Sequence, residues 1–302
     1  MEKTSIEQLT AIKQFLKQTS NFSEMPVEKI RNEMNNTAAA MQMNTDIIVQ
    51  EVVIGNLYGE WITPANVTVD ANKVILYFHG GGFIAGTCAF YRDLTARIAK
   101  SSGVKVLVIE YRLAPEHSYP AANEDCLTAY RWLLENGYSP ANILFGGDSV
   151  GGSLALMTLL SLRDQGEMLP AGAFLISPHT DLVHLDGESY TTRSELDPTG
   201  SLEGNRRILN TYLGSSTDDI LLLSPLRMNL SGLPDLFIQV GDHEVLLSDS
   251  TRFTDQARAA GVAVTLEVWD QMWSVFHFLA YMLPEAQQAI DHIGHFVKKK
   301  LP

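Results

Sequence analysis

The pattern of apolar and polar positions divides the chain at Asp46. Before it, residues 5–41 place apolar side chains at helical spacing and predict two helices, with Pro26 as the break between them. After it the period shortens. Ile47–Ile54 and Leu57–Ile62 predict the two strands of a hairpin turned at Gly55-Asn56. Strand and helix patterns then alternate: strands over 74–78, 104–110, 142–146 and 171–177, helices over 88–101, 121–136 and 150–164. These strands are continuous apolar runs, as a parallel sheet covered on both faces requires. Such alternation predicts an α/β sheet joined by helical crossovers. Residues 185–230 interrupt the rhythm, with one helical pattern over 202–213. It resumes with strand 236–240, helix 248–260, strand 263–269 and a final helix over 284–299. The chain has no internal repeat and no low-complexity segment.

Composition narrows the classes. The 302 residues, 45% of them apolar, suffice for one large domain or a domain with a small cap. A membrane span needs roughly eighteen apolar residues in a row, and no such run occurs. Glu2, Lys3, Glu7, Lys13 and Lys17 interleave the apolar positions of the first segment, an amphipathic helix pattern and not a signal core. Cys88 and Cys126 make no disulfide framework and read as buried thiols, which implies a cytoplasmic protein. A net charge of −13 without a basic patch excludes nucleic acid and anionic membrane as expected partners. No metal-binding or phosphate-binding motif is present, so no cofactor is implied.

The chemistry-bearing pattern is Gly147-Asp148-Ser149-Val150-Gly151, a G-x-S-x-G pentapeptide between the apolar run ending at Phe145 and a helical pattern. A serine on such a strand-to-helix turn presents its hydroxyl, and the helix start offers free N–H groups to developing negative charge. Upstream, strand 74–78 runs into His79-Gly80-Gly81-Gly82. Backbone without side chains can approach an oxyanion closely.

Together these pieces resemble the hormone-sensitive-lipase-like branch of the α/β-hydrolases, which includes many bacterial esterases. The resemblance rests on His79-Gly80-Gly81-Gly82, on Tyr111-Arg112-Leu113-Ala114-Pro115-Glu116-His117 followed by Pro120-Ala121-Ala122 and Asp125, on Gly147–Gly152, and on Gly241-Asp242-His243-Glu244. It implies an α/β-hydrolase fold with a mostly parallel sheet of about eight strands, flanked by helices. It also implies a helical cap built from residues 1–45 and an insertion over about 185–230 on a catalytic domain of residues 46–302. The implied activity is hydrolysis of small carboxylic esters with short to medium acyl chains. Ser149 is the implied nucleophile, the N–H groups of Gly81, Gly82 and Val150 the oxyanion donors, and Glu244 the acid. Asp242 is the alternative acid, with Asp242 or Ser248 otherwise expected to cap the next helix. Arg112 and Glu116 are candidates for an ion pair bracing their loop, and His79 for bracing the glycine turn. Phe83, Phe90, Tyr91 and Phe276 fit either a substrate pocket or the core. A homodimer through the last strand is expected by analogy alone.

The histidine of the triad is where the chain departs from the family. The family pattern of Gly-Met-x-His-x-Phe-His type reads here Gln271-Met272-Trp273-Ser274-Val275-Phe276-His277. Ser274 occupies the base position, and a hydroxyl does not take up a proton usefully at neutral pH. Three readings follow. The chain is an esterase whose base has been removed by design, leaving strongly reduced activity. Alternatively His277 is a substitute base, although one helical turn, roughly 5 Å, separates it from position 274. Or the chain is a non-catalytic small-molecule-binding relative, as the plant gibberellin receptor is in this family.

Overall fold

The computed structural model describes residues 3–19, 25–41, 46–216 and 220–302. Its centre is one eight-stranded sheet in the order β1-β2-β4-β3-β5-β6-β7-β8. The strands are β1 Ile47–Ile54, β2 Leu57–Pro64, β3 Val74–Phe78, β4 Lys105–Glu110, β5 Ile143–Asp148, β6 Gly172–Ile176, β7 Leu236–Gly241 and β8 Val264–Trp269. β2 runs antiparallel to both β1 and β4, and all other neighbours are parallel. The hairpin pairs Ile54 with Leu57 across a two-residue turn in which Gly55 takes φ +62°, a value glycine adopts without steric cost. β3, β5, β6 and β7 are buried at every position, which explains their largely apolar sequences, with Asp148 and Gln239 the buried polar exceptions.

The helices are α1 Ile6–Thr19, α2 Val27–Ala40, α3 Cys88–Ser102, α4 Ala121–Glu135, α5 Val150–Asp164, α6 Ser189–Thr192, α7 Leu202–Leu213, α8 Leu247–Ala259 and α9 Pro284–Lys300. Thr87 caps α3 by accepting from Phe90 N at 3.2 Å, and Gly103 ends it at φ +70°. α5 is apolar on nearly all sides and is buried from Val150 to Leu160. The strands and long helices fall within about two residues of the sequence expectation. Residues 185–230 hold the short α6, α7 and two 3₁₀ turns, Leu221–Leu223 and Pro225–Arg227. The expected N-terminal segment 1–45 lies partly outside the described residues.

α1 and the residue pair ahead of α2 touch the segment that interrupts the α/β rhythm. Lys17 Nζ donates to Glu195 O at 2.5 Å, and Arg207 Nη2 of α7 donates to Met25 O at 2.6 Å. Arg31 of α2 donates to Ile84 O, Ala114 O and both carboxylate oxygens of Glu116. The expected Arg112–Glu116 pair therefore does not form. Arg112 instead holds Asp125 through its Nε, its Nη2 and its backbone N–H, and Nη2 also reaches Glu124. Asp125 lies on the adjoining turn of α4, whereas Glu116 points outward to α2. Cys88 and Cys126 are buried and unpaired. Among the described residues, no helix is long and apolar enough to cross a membrane.

Candidate active site

Sheet register alone gathers the motif residues. Phe78 pairs with Gly147, Asp148 with Ile176, Ile176 with Gln239, and Gly241 with Trp269. The segments following β3, β5, β6, β7 and β8 therefore leave the same edge side by side, the edge at which α/β folds hold their ligands. Those segments carry the glycine turn, Ser149, Ser177, Glu244 and Ser274.

Ser149 stands between β5 and α5 at φ 52°, ψ −123°. A non-glycine residue seldom takes this backbone conformation, so surrounding structure has to impose it. Ser149 N donates to Ile176 O at 2.9 Å, and Ser149 O accepts from Ser153 N at 3.2 Å. The tight turn needs glycine on both flanks. A Cβ on Gly147 would lie 2.4 Å from Gly151 O, and one on Gly151 only 2.0 Å from Phe78 O. The serine side chain remains partly open to solvent.

The glycine turn is fastened to this elbow by Asp148. Its Oδ1 accepts from Gly80 N at 3.0 Å and Tyr77 OH at 2.8 Å, and its Oδ2 accepts from Tyr91 OH at 3.0 Å. Burial raises its pKa to about 7 despite these donors. His79 is buried, stacks on Tyr111 with ring centres 4.2 Å apart, and sets Nδ1 2.7 Å from Gly80 O. Desolvation lowers its pKa to about 4, so the ring is neutral scaffolding. Gly81 and Gly82 take φ +100° and +67°. Among the described residues, no protein acceptor takes the N–H of Gly81, Gly82 or Val150. Ile208 of α7 lies over this turn, since a Cβ on Gly82 would stand 3.0 Å from its Cγ1.

Glu244 is buried beyond the end of β7. Its Oε1 accepts from Gly241 N at 2.5 Å and from Ser177 Oγ at 3.0 Å. Its Oε2 is buried with no hydrogen-bond partner. Burial, then the nearby charge of Asp197, raises the carboxyl pKa to about 8. The Ser274 hydroxyl stands beside this carboxyl and works against that rise, although among the described residues Oε2 makes no hydrogen bond of full geometry. Asp197 itself accepts from the N–H groups of Thr199, Gly200 and Val245, which joins the interrupting segment to the Glu244 loop.

The loop carrying Ser274 is held through its backbone. Gln271 N donates to Asp242 Oδ1 at 2.5 Å, His243 N to Met272 O at 2.9 Å, and Val275 N to Ser177 Oγ at 3.1 Å. Asp242 thus anchors this loop, and neither it nor Ser248 caps α8, whose N-cap is Leu246 without a side-chain bond. Ser248 lies inside the helix and bonds Ser189. His277 is turned into the core. Its Nε2 lies 2.9 Å from Gln239 Oε1, its Nδ1 has no partner, and burial lowers its pKa to about 3. A ring so placed, on a 3₁₀ turn packed beneath α9, is spent on β7 and is not available to Ser149. Of the aromatics, Phe83 stacks on Tyr212 at 3.9 Å and Tyr91 serves Asp148, while Phe276 is fully buried.

A profile of the alpha/beta hydrolase fold matches residues 75–278, more than half of the chain. The chain belongs to the α/β-hydrolase family, in its hormone-sensitive-lipase-like branch. This hydrolase-family chain is 39% identical over 247 residues to an acetyl-hydrolase of Streptomyces hygroscopicus, covering 82% of this chain and 81% of that one. It is 35% identical over 257 residues to an esterase of Acinetobacter venetianus, covering 84% and 82%. Among solved structures, an esterase of the bacterial hormone-sensitive lipase family superposes with a TM-score of 0.91 at 38% identity over 100% of both chains. A crystal of EstE5 soaked with p-nitrophenyl butyrate gives a TM-score of 0.91 at 38% identity over 99% of both.

Three supports of this site were not legible as such in the sequence. Asp148 lies inside the motif but has no role until the glycine turn is beside it. Ser177 and Asp197 carry no motif signal, since their partners are 67 and 48 residues away.

Proposed function

We propose that this chain is a carboxylic ester hydrolase of short to medium acyl esters in which the general base is missing. Ser149 is the nucleophile. The N–H groups of Gly81, Gly82 and Val150 receive the oxyanion. Glu244 is the acid that orients the base, and Ser274 stands where that base belongs. α1, α2 and the 185–230 segment form a cap over the site. The reaction as written needs no cofactor. The relatives described as esterases and acetyl-hydrolase support the substrate class.

One observation carries the reading. A buried carboxyl normally has both oxygens hydrogen-bonded, yet among the described residues Glu244 Oε2 makes no full hydrogen bond, and the Ser274 hydroxyl beside it only eases the charge. An imidazole on the 274 loop is the group whose N–H such an oxygen holds in a serine triad. The imposed backbone of Ser149 marks a functional site, and the unclaimed N–H groups beside it suit a developing oxyanion, which favours a hydrolase. The test is hydrolysis of p-nitrophenyl butyrate by this chain beside its Ser274→His variant. A gain supports the reading; no gain together with tight, unproductive ligand binding rejects it.

A further inference from the structure

Of the side chains of α1, only Leu9 is buried, with Ile12 and Leu16 partly buried beside it. Thr4, just ahead of the helix, bonds Glu285 through its N–H and its hydroxyl, and Lys17 near the other end donates to Glu195 O. The middle of the helix is held by Lys13. Its Nζ stands 2.6 Å from His243 Nδ1 and lies over the Trp273 ring, 5.8 Å from its centre. His243 precedes Glu244 and Trp273 precedes Ser274, so one ammonium pins α1 to both loops of the site. The two loops are themselves joined there by His243 N on Met272 O.

An ammonium has no acceptor, so this bond exists only while His243 Nδ1 carries no proton. The docked ring is therefore neutral, with its proton on Nε2. A second proton would set a cation against a cation at contact distance. Among the described residues, the other charged groups facing the pair are Arg193 and Asp197 of the 185–230 segment, Asp270 ahead of the 274 loop, Asp242 beside the ring, and Lys17 on α1 itself. Asp242 Oδ1 lies 3.9 Å from Nε2 and, like Asp270, favours a charged ring, whereas Arg193 opposes it. Burial, and then the Lys13 charge, outweigh these carboxylates and hold the pKa of His243 below its ordinary 6.5.

We propose that the Lys13–His243 contact is an acid-released latch, which keeps α1 on the Glu244 and Ser274 loops while the imidazole is neutral and frees the helix when the ring gains a proton. The latch does not depend on the chemistry at Ser149. An undocked His243 takes up its proton near pH 6.5, and the docked one only at lower pH. The docked state thus binds fewer protons, so docking is at full strength above about pH 6.5 and weakens as pH falls below it. A helix with one buried side chain belongs to the low-stability end of a structure, where such a change produces local opening and not global unfolding. Release uncovers the two loops that carry Glu244 and Ser274.

The experiment is amide hydrogen exchange of this chain, read by mass spectrometry on peptides of α1 at pH 7.5 and pH 5, each rate divided by the intrinsic rate at that pH, with α5 as the internal reference. The corrected rate in α1 is expected to rise about fivefold or more at pH 5 while that of α5 stays unchanged. His243→Asn keeps an acceptor at the place of Nδ1 and cannot titrate, so its α1 is expected to exchange alike at both pH values. In Lys13→Met the helix is expected to exchange fast at both. No rise in this chain, a rise of equal size in α5, or a rise that persists in His243→Asn overturns the proposal. Exchange is read without substrate, so failure of the latch and failure of the hydrolase reading are separate results.

Discussion

Gly80 N donates to Asp148 Oδ1 at 3.0 Å, and so the residue before Ser149 holds the turn that faces it. The same carboxyl takes two tyrosine hydroxyls and sits wholly in the interior, where an unpaired donor costs about 1–3 kcal/mol. Asn keeps an acceptor for Gly80 and Tyr77 and turns an N–H toward Tyr91, whose hydroxyl can accept it. Asp148→Asn is therefore expected to keep turnover within about threefold in the Ser274→His background, whereas Asp148→Ala lowers kcat by at least about tenfold, with KM changed less. Steady-state kinetics on p-nitrophenyl butyrate check this. Equal losses in both variants would show that Asp148 acts through its charge and not by positioning.

Gly151 is where α5 presses against the end of β3. A Cβ there would stand 2.0 Å from Phe78 O and 2.5 Å from His79 O, both backbone atoms that cannot step aside. Gly151→Ala is expected to cost more than about 3 kcal/mol in urea unfolding, beyond the usual range for overpacking. By contrast, Gly137→Ala meets nothing within 4 Å and suffers only from its φ of +88°. A loss under about 1 kcal/mol at Gly151 would mean that the elbow and the glycine turn are not in contact.

Glu244 ties stability to pH. Its folded pKa of about 8 lies above the ordinary 4.5, so between those values the folded state holds a proton that the unfolded chain has released. Stability from this group is complete below about pH 4.5 and is lost as pH rises through about 8. Asp148 and Asp249, each raised to about 7, add in the same direction from 3.8 upward. Melting temperatures of this chain are expected to fall from pH 5 to pH 8.5, with Glu244→Gln reducing that fall across the window between about pH 5 and pH 8. Parallel curves for the two proteins would show that Glu244 is not the buried, raised group described.

The fold was readable because burial on both faces writes itself into a strand as an unbroken apolar run, and β3, β5 and β6 carry such runs. The G-x-S-x-G turn and the strand before His79 were readable for the same reason, since each glycine answers a local backbone demand. The supports of the site were not. Asp148 looks like any polar motif residue until β3 and β5 pair Phe78 with Gly147. Arg112 has acidic residues on both sides in sequence, and only the turn of α4 decides for Asp125 over Glu116. Asp242 and Ser248 suit a helix cap by type, but the loops beside them claim both side chains first. His277 resembles a nearby base in sequence, and only the burial of the 3₁₀ turn reveals that its ring faces Gln239.

The most direct test is kcat/KM on p-nitrophenyl butyrate for this chain, for Ser274→His, and for Ser274→His combined with Ser149→Ala. Loss of a triad member costs roughly 10⁴- to 10⁶-fold in turnover, so Ser274→His should recover several orders of magnitude and the added Ser149→Ala should abolish the gain. If Ser274→His leaves the rate where it was, or if the gain survives without Ser149, the proposed nucleophile and its absent base are not the machinery of this protein.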